Sequence, residues 1–190
     1  MLHISEGSIQ EAHGLLLEAA RYKPLSTVVV TTVCWCEYLA GRLDAALALV
    51  AQARKSGHQG ALLDAIEALA SIQMSEPCEC VPRLELLVAE SPHHYTLQGV
   101  LGYAYGVTGR IQDARGVLEI LTEPGLLGKC DYEYPSALTL LGLNERRKAI
   151  ECLLRSYRHG SLWSLGFNLD PILAPLRNDP YFILPGYGSH

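Results

Sequence analysis

The stretch 95–121, YTLQGVLGYAYGVTGRIQDARGVLEIL, contains two helical patterns that meet at the turn Thr108-Gly109-Arg110. Small and apolar residues recur in it at fixed intervals, namely Leu101, Gly102, Tyr105, Ala114 and Leu118. Two antiparallel helices approach closely only where one of them carries a small side chain, and the bulky residues fill the space beside a neighbouring hairpin. The stretch therefore predicts one helical hairpin that depends on its neighbours for burial.

The same intervals characterise one helix-turn-helix unit of the tetratricopeptide (TPR) class, whose repeats are about 34 residues long. The stretch resembles such a repeat, although the leading Trp of the pattern is missing. Steps of that period lead from the turn to further small residues, at Gly41, Gly7, Ser75 and, with one inserted residue, Asn144. The small-residue site recurs likewise, at Ala12, Ala46, Cys80, Ala114 and Ala149. The resemblance implies an all-α, TPR-type solenoid, a right-handed superhelix in which the first helix of each hairpin lines a concave groove.

The period divides the chain into a half repeat over 1–24, hairpins over 26–57, 59–91, 94–122 and 131–159, and a C-terminal cap over 160–190. Residues 1–6 are too few for the first helix of a hairpin, whereas Ser8–Arg21 has the pattern of a second helix. The chain is therefore expected to begin halfway through a repeat, either as a piece of a longer protein or with the exposed face of this helix covered by something else.

Residues 26–40, STVVVTTVCWCEYLA, give conflicting local signals. The β-branched run from Val28 to Val33 favours a strand on propensity alone. The repeat register requires a helix, and packing overrides propensity differences of a few tenths of a kcal/mol per residue. We predict a helix here, with Pro82 in the first turn of a later one. The remaining predicted helices are Asp44–Lys55, Gln59–Gln73, Cys80–Glu90, Tyr132–Leu141 and Glu145–Tyr157, the last two separated from the 94–122 hairpin by a loop over Thr122–Lys129.

The segment after 160 is rich in Pro, Gly and aromatic residues and is predicted to cover the apolar end of the last hairpin with short helices. Its covering residues are Trp163, Leu165, Phe167, Leu169, Ile172, Leu173, Leu176, Tyr181 and Phe182. Asp170-Pro171 and Asp179-Pro180 are helix-start signals, each an N-cap followed by Pro at the first helical position. The string DPILAPLRNDPYF resembles the tail that follows TPR arrays in bacterial multidomain regulators.

The composition restricts the class of protein. The chain has 190 residues, 49% of them hydrophobic, and a formal net charge of −5, which predicts a packed core and argues against general nucleic-acid binding. Its apolar runs are shorter than a membrane helix, and MLHISEGSIQEA lacks the basic-then-apolar pattern of a signal peptide. We therefore expect a cytoplasmic protein whose six cysteines are reduced thiols.

The cysteine and histidine pairs are weak candidates for chemistry. Cys34-x-Cys36 and Cys78-x-Cys80 have one residue between the thiols, whereas paired zinc ligands are separated by two or more. Their positions in the repeat favour packing as small apolar residues, with redox sensitivity as the alternative. His93-His94 is predicted to be a solvated loop, and no nucleophile, base and orienting group are readable together. We predict no catalytic residue, no metal and no cofactor.

The predicted groove is aromatic and aliphatic. The residues that the register places on it are Thr31, Trp35, Tyr38, Leu69, Ile72 and Tyr103, with Tyr134 as a further candidate. TPR domains that bind Hsp70 or Hsp90 hold a peptide carboxylate with Lys and Asn, and Thr31 and Trp35 occupy the corresponding early sites here. An apolar groove suits an amphipathic helix or an apolar peptide from a protein partner. The alternative is that the C-terminal tail or tight curvature fills the groove.

The predicted function is non-catalytic protein–protein interaction, as the scaffolding or sensory part of a bacterial regulator. The alternative is a homo-oligomerisation module in which Leu15 and Leu16 of the open first helix meet a second copy across a two-fold axis. The last hairpin is basic, through Arg146, Arg147, Lys148, Arg155, Arg158 and His159. Interleaved Glu145 and Glu151 favour a solvated helix face there over the docking of an acidic segment or of nucleic acid.

Overall fold

The computed structural model describes residues 26–74, 77–123 and 130–183, and these residues contain helices and turns without a strand. The eight α-helices of this part of the chain are α1 Thr27–Leu39, α2 Leu43–Lys55, α3 Ala61–Met74, α4 Pro77–Glu90, α5 Tyr95–Val107, α6 Ile111–Leu121, α7 Cys130–Gly142 and α8 Arg146–Arg158. Two 3-10 helices follow, η1 Leu162–Gly166 and η2 Pro171–Leu176. The predicted all-α class is confirmed. The half repeat 1–24, with Leu15 and Leu16, lies outside the described residues.

One turn geometry recurs between the paired helices. Gly41, Gly109 and Asn144 have positive φ values of 72°, 81° and 60°. In each turn the following N–H bonds back to the first helix, as in the 2.8 Å bond from Arg110 N to Tyr105 O. This is the Schellman arrangement, which needs a residue that tolerates the left-handed conformation. The small residues that recur with the predicted period therefore stand where the backbone requires them.

The β-branched segment is helical, as the register predicted. Helix α1 spans Thr27–Leu39 and buries Val33, Cys34, Tyr38 and Leu39. Each of these side chains packs in the core, and the burial of a large apolar side chain stabilises by about 1.5–3 kcal/mol. That gain exceeds the small preference of Val and Thr for strands.

The helices form two layers. Helices α1, α3, α5 and α7 pack against one another in sequence and are called the inner row below. Each of α2, α4 and α6 packs against the inner-row helices before and after it, and α8 packs on α7. Ala46, Ala114 and Ala149, three of the predicted small-residue sites, are fully buried. Small side chains thus permit the contact between layers that the hairpin pattern predicted.

Helices α5 and α7 approach most closely. A Cβ atom added at Gly99 would lie 2.5 Å from Cα of Pro135, and one added at Gly142 would lie 2.7 Å from Cα of Tyr103. Gly102 and Gly106 are equally crowded, against Thr139 and Gly142. The glycines of GVLGYAYG therefore serve helix contact, because any larger side chain would force the two helices apart.

Two helices begin two or three residues earlier than predicted. Helix α4 begins at Pro77 rather than Cys80, so Pro82 lies in its second turn and the prediction that it occupies the first turn is wrong. Helix α7 begins at Cys130 and contains Pro135 in the same way. A proline this near the N-terminus removes one backbone hydrogen bond, which the surrounding packing tolerates. Pro82 is exposed, so its ring crowds no neighbouring helix.

The C-terminal segment forms short helices, in agreement with the sequence. Asp170 is the N-cap of η2, and its carboxylate accepts a 3.2 Å bond from the Ile172 N–H. Asp179 accepts a 3.0 Å bond from the Tyr181 N–H in the same manner, but residues up to 183 form only a turn. The second predicted helix start is therefore a capped turn over the described residues.

Candidate functional site

A buried carboxylate joins the two ends of the described array. Asp170 is 2% exposed, and it accepts a 2.5 Å hydrogen bond from the Tyr38 hydroxyl and a 2.6 Å bond from the Tyr134 hydroxyl. Tyr38 lies on α1 and Tyr134 on α7, so helices from the first and fourth described hairpins meet on one side chain. The Tyr38 hydroxyl donates to Oδ1 and the Tyr134 hydroxyl donates to Oδ2, so both carboxylate oxygens accept a hydrogen bond.

Further polar groups complete the network. The Gln73 side-chain amide donates a 3.2 Å bond to the Tyr38 hydroxyl, and the Arg177 guanidinium donates a 3.2 Å bond to the Asp170 carbonyl. Burial raises the pKa of Asp170 above its usual value, against the lowering effect of the two hydroxyl donors. Burial and the adjacent carboxylate also raise the pKa of Tyr38 and Tyr134 well above the usual tyrosine range, so both phenols remain donors.

Aromatic rings surround this network. The Trp163 ring stacks on Tyr134 at 4.9 Å with an interplanar angle of 12°, and it meets Trp35 edge-on at 5.0 Å. Trp35 stacks on Tyr38 at 5.2 Å, and Phe167 lies 5.7 Å from Tyr134 on its other side. Aromatic pairs of this geometry contribute about 0.5–1.5 kcal/mol each beyond their buried area. The two tyrosines that bind Asp170 are thus fixed in position by rings.

The residues that follow Asp170 are apolar and deeply buried. Ile172, Leu173 and Leu176 are 4%, 0% and 0% exposed. Earlier in the segment, Gly166 packs on the end of Leu39, where an added Cβ would lie 2.9 Å from a Leu39 methyl carbon. Residues 161–176 are called the tail segment below, and they contact α1 and α7 of the inner row through Trp163, Gly166, Phe167 and Asp170.

The structure places the predicted groove residues as follows. Thr31, Tyr38, Leu69 and Ile72 are buried, and Trp35 and Tyr103 are partly buried. Of these, Trp35 and Tyr38 contact the tail segment. The sequence left open whether a partner or the C-terminal tail fills the predicted groove. Within the described residues, the tail segment lies against Trp35 and Tyr38 of that groove. The role of the six residues as partner contacts stays a prediction, and in this state four of them have little exposed surface.

Sequence reasoning missed the partners of Asp170. The Asp-Pro pair identified Asp170 as an N-cap, which it is, but an N-cap needs only its own backbone. Nothing local to Tyr38, Gln73 or Tyr134 indicates a common acceptor. The available signal was the presence of tyrosines on helix faces expected to be buried, because a buried phenol requires a hydrogen-bond partner.

An open cavity of about 600 Å³ adjoins the tail segment. Residues 90–96, between α4 and α5, line it together with Trp163. His94 is the N-cap of α5, and its Nδ1 atom accepts a 3.3 Å bond from the Leu97 N–H. His93 is exposed and His94 partly buried in this connection, which is a loop as predicted.

The cysteines that the structure describes are buried or partly buried. Cys34 and Cys36 are 0% and 8% exposed, and burial raises the pKa of the Cys34 thiol to about 11. Cys152 is also buried, with its pKa raised to about 11 for the same reason, and it accepts a bond from Arg155. Cys80 is partly buried, and the Cys78 side chain lies outside the described residues. Over the described ranges, no three His, Cys, Asp or Glu side chains are grouped as metal ligands.

Three of the six basic residues named for the last hairpin form ion pairs, namely Arg147, Lys148 and Arg155. Arg155 bonds Glu133 at 3.0 Å, and Lys148 and Arg115 both contact Glu145. Their guanidinium and ammonium groups are about half exposed or more, and such pairs contribute little to stability. The arrangement fits a solvated helix face.

Comparisons with family models, with curated protein sequences and with solved structures find no match to this chain. The class of the fold therefore follows from the structure itself, an all-α array of helical hairpins with repeating turns. Among the helices described, none combines the length and the apolar character needed to cross a membrane.

Proposed function

We propose that this chain is a non-catalytic protein–protein interaction module of the TPR class, a solenoid with a C-terminal cap. In this proposal it is the scaffolding or regulatory part of a cytoplasmic bacterial regulator. Its inner row binds a peptide or short helix from a protein partner. The recurring turns and the buried alanines at one position of three hairpins support the TPR assignment.

One observation carries the binding proposal: the inner row already holds a polypeptide through side-chain recognition. The contacts come from one short segment, with Trp163 and Phe167 in the aromatic cluster and Asp170 on the two tyrosines. A surface that recognises one carboxylate and its flanking apolar residues is suited to bind a linear segment.

The proposal predicts that the inner row binds the tail sequence when it is supplied as a separate peptide. The probe is a fluorescein-labelled peptide of residues 161–177, SLWSLGFNLDPILAPLR, and the receptor is the full chain carrying Asp170→Ala, which weakens its own tail segment. We expect saturable binding in fluorescence anisotropy. The wild-type chain should bind at least about a hundredfold more weakly, because its tethered segment competes at a millimolar effective concentration.

The matched control uses the second Asp-Pro pair. Asp179→Ala removes the same kind of cap from a turn, and the hydroxyls of Tyr38 and Tyr134 bond Asp170 rather than Asp179. A full chain with this change should retain its own tail segment and bind the peptide as weakly as the wild type does. Equal binding by all three chains, or no binding by a folded Asp170→Ala chain, would refute the proposed function.

A further inference from the structure

The tail segment has the properties of a ligand that a second chain can supply. The residues that make its buried contacts lie together between Trp163 and Leu176, and they reach helices that are far away along the chain. The bond from Tyr38 to Asp170 spans 132 residues. Because the recognised residues are contiguous, the same contacts form whether the segment comes from the same chain or from another copy.

The connection to α8 is short and exposed. Arg158, His159 and Gly160 are exposed, and Gly160 has a φ of +71°, at the turn where the chain leaves the helix. A change of backbone dihedral angles at these positions redirects everything that follows, as hinge residues do in segment exchange. Segment η1 also packs on α8, so exchange requires release of this contact and of the groove contacts together.

We propose that two copies of this chain associate by exchanging residues 161–176, so that Asp170 of each copy is bound by Tyr38 and Tyr134 of the other. This inference rests on the proposed function, since it requires that the inner row bind a segment that arrives from outside. The second copy is the occupant because its tail segment is the one polypeptide whose fit to these helices is described.

Exchange leaves the contacts between the tail segment and the inner row unchanged and opens the turn bond from Ser161 N to Ser156 O, so its equilibrium depends on concentration. With a tethered segment at roughly millimolar effective concentration, about one chain in a hundred is exchanged at 10 μM, and exchange becomes extensive only near millimolar concentration. The wild-type chain is therefore a poor test at ordinary concentrations. Variants that disfavour the internal arrangement and favour the exchanged one give a decisive result.

The hydrogen bonds of Asp170 with Tyr38 and Tyr134 allow such a pair of variants. The first carries Asp170→Ala, so its intact tyrosine hydroxyls face no carboxylate. The second carries Tyr38→Phe and Tyr134→Phe, so its intact Asp170 faces no donor. Each chain alone leaves buried polar groups unpaired, whereas exchange between them restores the tyrosine–carboxylate set in one groove and leaves neither phenol nor carboxylate in the other.

Mixing the two variants is therefore expected to produce a heterodimer. At about 10 μM each, after an overnight incubation, size exclusion with light scattering should give twice the mass of one chain, and donor and acceptor dyes on the two chains should show energy transfer. Each variant alone should remain a monomer. The chain that carries all three changes is the matched control, because its tail segment and groove fit each other again, and it should be a monomer with or without an added variant.

Two outcomes separate this inference from the proposed function. If the Asp170→Ala chain binds the 161–177 peptide but the mixed chains stay monomeric, exchange is refuted and peptide binding stands. If folded chains show neither peptide binding nor a heterodimer, both proposals are refuted. Circular dichroism checks folding, and Asp170→Leu, which keeps the branched side-chain shape and removes every polar atom, replaces Asp170→Ala if that chain does not fold. A monomeric mixture with this variant likewise refutes exchange.

Discussion

The contact between α5 and α7 gives the sharpest test of the fold. In the change Gly99→Ala, the new Cβ would lie 2.5 Å from Cα of Pro135 and 2.7 Å from its carbonyl oxygen. Ordinary contact begins near 3.4 Å, so the two backbones would have to separate by about 0.9 Å. The clashing atoms belong to the backbone and to a proline ring, and neither can turn away as a flexible side chain would.

The magnitude follows from two opposing effects. Overpacking of a close contact costs about 1–3 kcal/mol, and a rigid backbone contact belongs at the upper end of that range. The replacement of Gly by Ala within a helix returns up to about 1 kcal/mol. We therefore expect Gly99→Ala to lower the free energy of unfolding by about 2 kcal/mol, which corresponds to a fall in Tm of about 4–8 °C for a chain of this size.

Gly116 provides a matched control within α6. A Cβ added there meets no atom within 4 Å, so Gly116→Ala gains the helix preference without a clash. We expect it to raise the free energy of unfolding by about 0.5–1 kcal/mol. Thermal and urea unfolding, followed by circular dichroism, measure both variants. If Gly99→Ala is as stable as Gly116→Ala, then α5 and α7 do not pack as described.

Three further predictions concern the Asp170 network and the proposed oligomer face at Leu15 and Leu16. Tyr38→Phe and Tyr134→Phe each remove a donor from a buried carboxylate, and each should cost about 1.5–3 kcal/mol in urea unfolding; a loss below about 0.5 kcal/mol for both would contradict the network. Because the folded pKa of Asp170 is raised above its ordinary 3.8, its contribution to stability is present below that pH and is lost as pH rises through the folded pKa. Urea titrations give the free energy of unfolding of the wild type and of Asp170→Asn. The difference between them, wild type minus variant, should fall as pH rises above 3.8. A rise would show that the folded protein stabilises the charged carboxylate. If Leu15 and Leu16 form an oligomer face, light scattering over a concentration series should detect a dimer that Leu15→Ser/Leu16→Ser dissociates, and a chain that is monomeric throughout would contradict that hypothesis.

The hairpins could be predicted because their contacts are local and repeated. A turn such as the one at Gly41 is determined by the helix end it closes, and the same requirement recurs at Gly109 and Asn144. The alanine sites recur for an equally local reason, since one helix faces its partner across the turn. In the hairpins that turn at Gly41, Gly109 and Asn144, each position therefore meets similar surroundings, and these produce a period in the sequence.

The ends of α4 and α7 could not be predicted in this way. Pro82 and Pro135 indicate a helix start when only propensity is considered. In the structure each lies one turn further in, where the loss of a single backbone bond is outweighed by packing along the rest of the helix. Local rules penalise a proline in the second turn of a helix, whereas contacts with other helices decide where the helix begins.

The segment that occupies the groove could not be predicted, because an apolar pattern predicts burial and does not identify the segment that covers it. The pattern of Trp35 and Tyr38 predicts burial, and both the tail segment and a partner peptide would satisfy it. The hydroxyl groups of Tyr38 and Tyr134 determine the register of the bound segment. A bound apolar segment that slipped by one residue would keep much of its buried area, but it would leave the hydroxyls of Tyr38 and Tyr134 without an acceptor, at about 1–3 kcal/mol each. The two tyrosines therefore determine which residue of a bound segment stands at the centre, and any polypeptide that replaces the tail segment must bring an acceptor to that point.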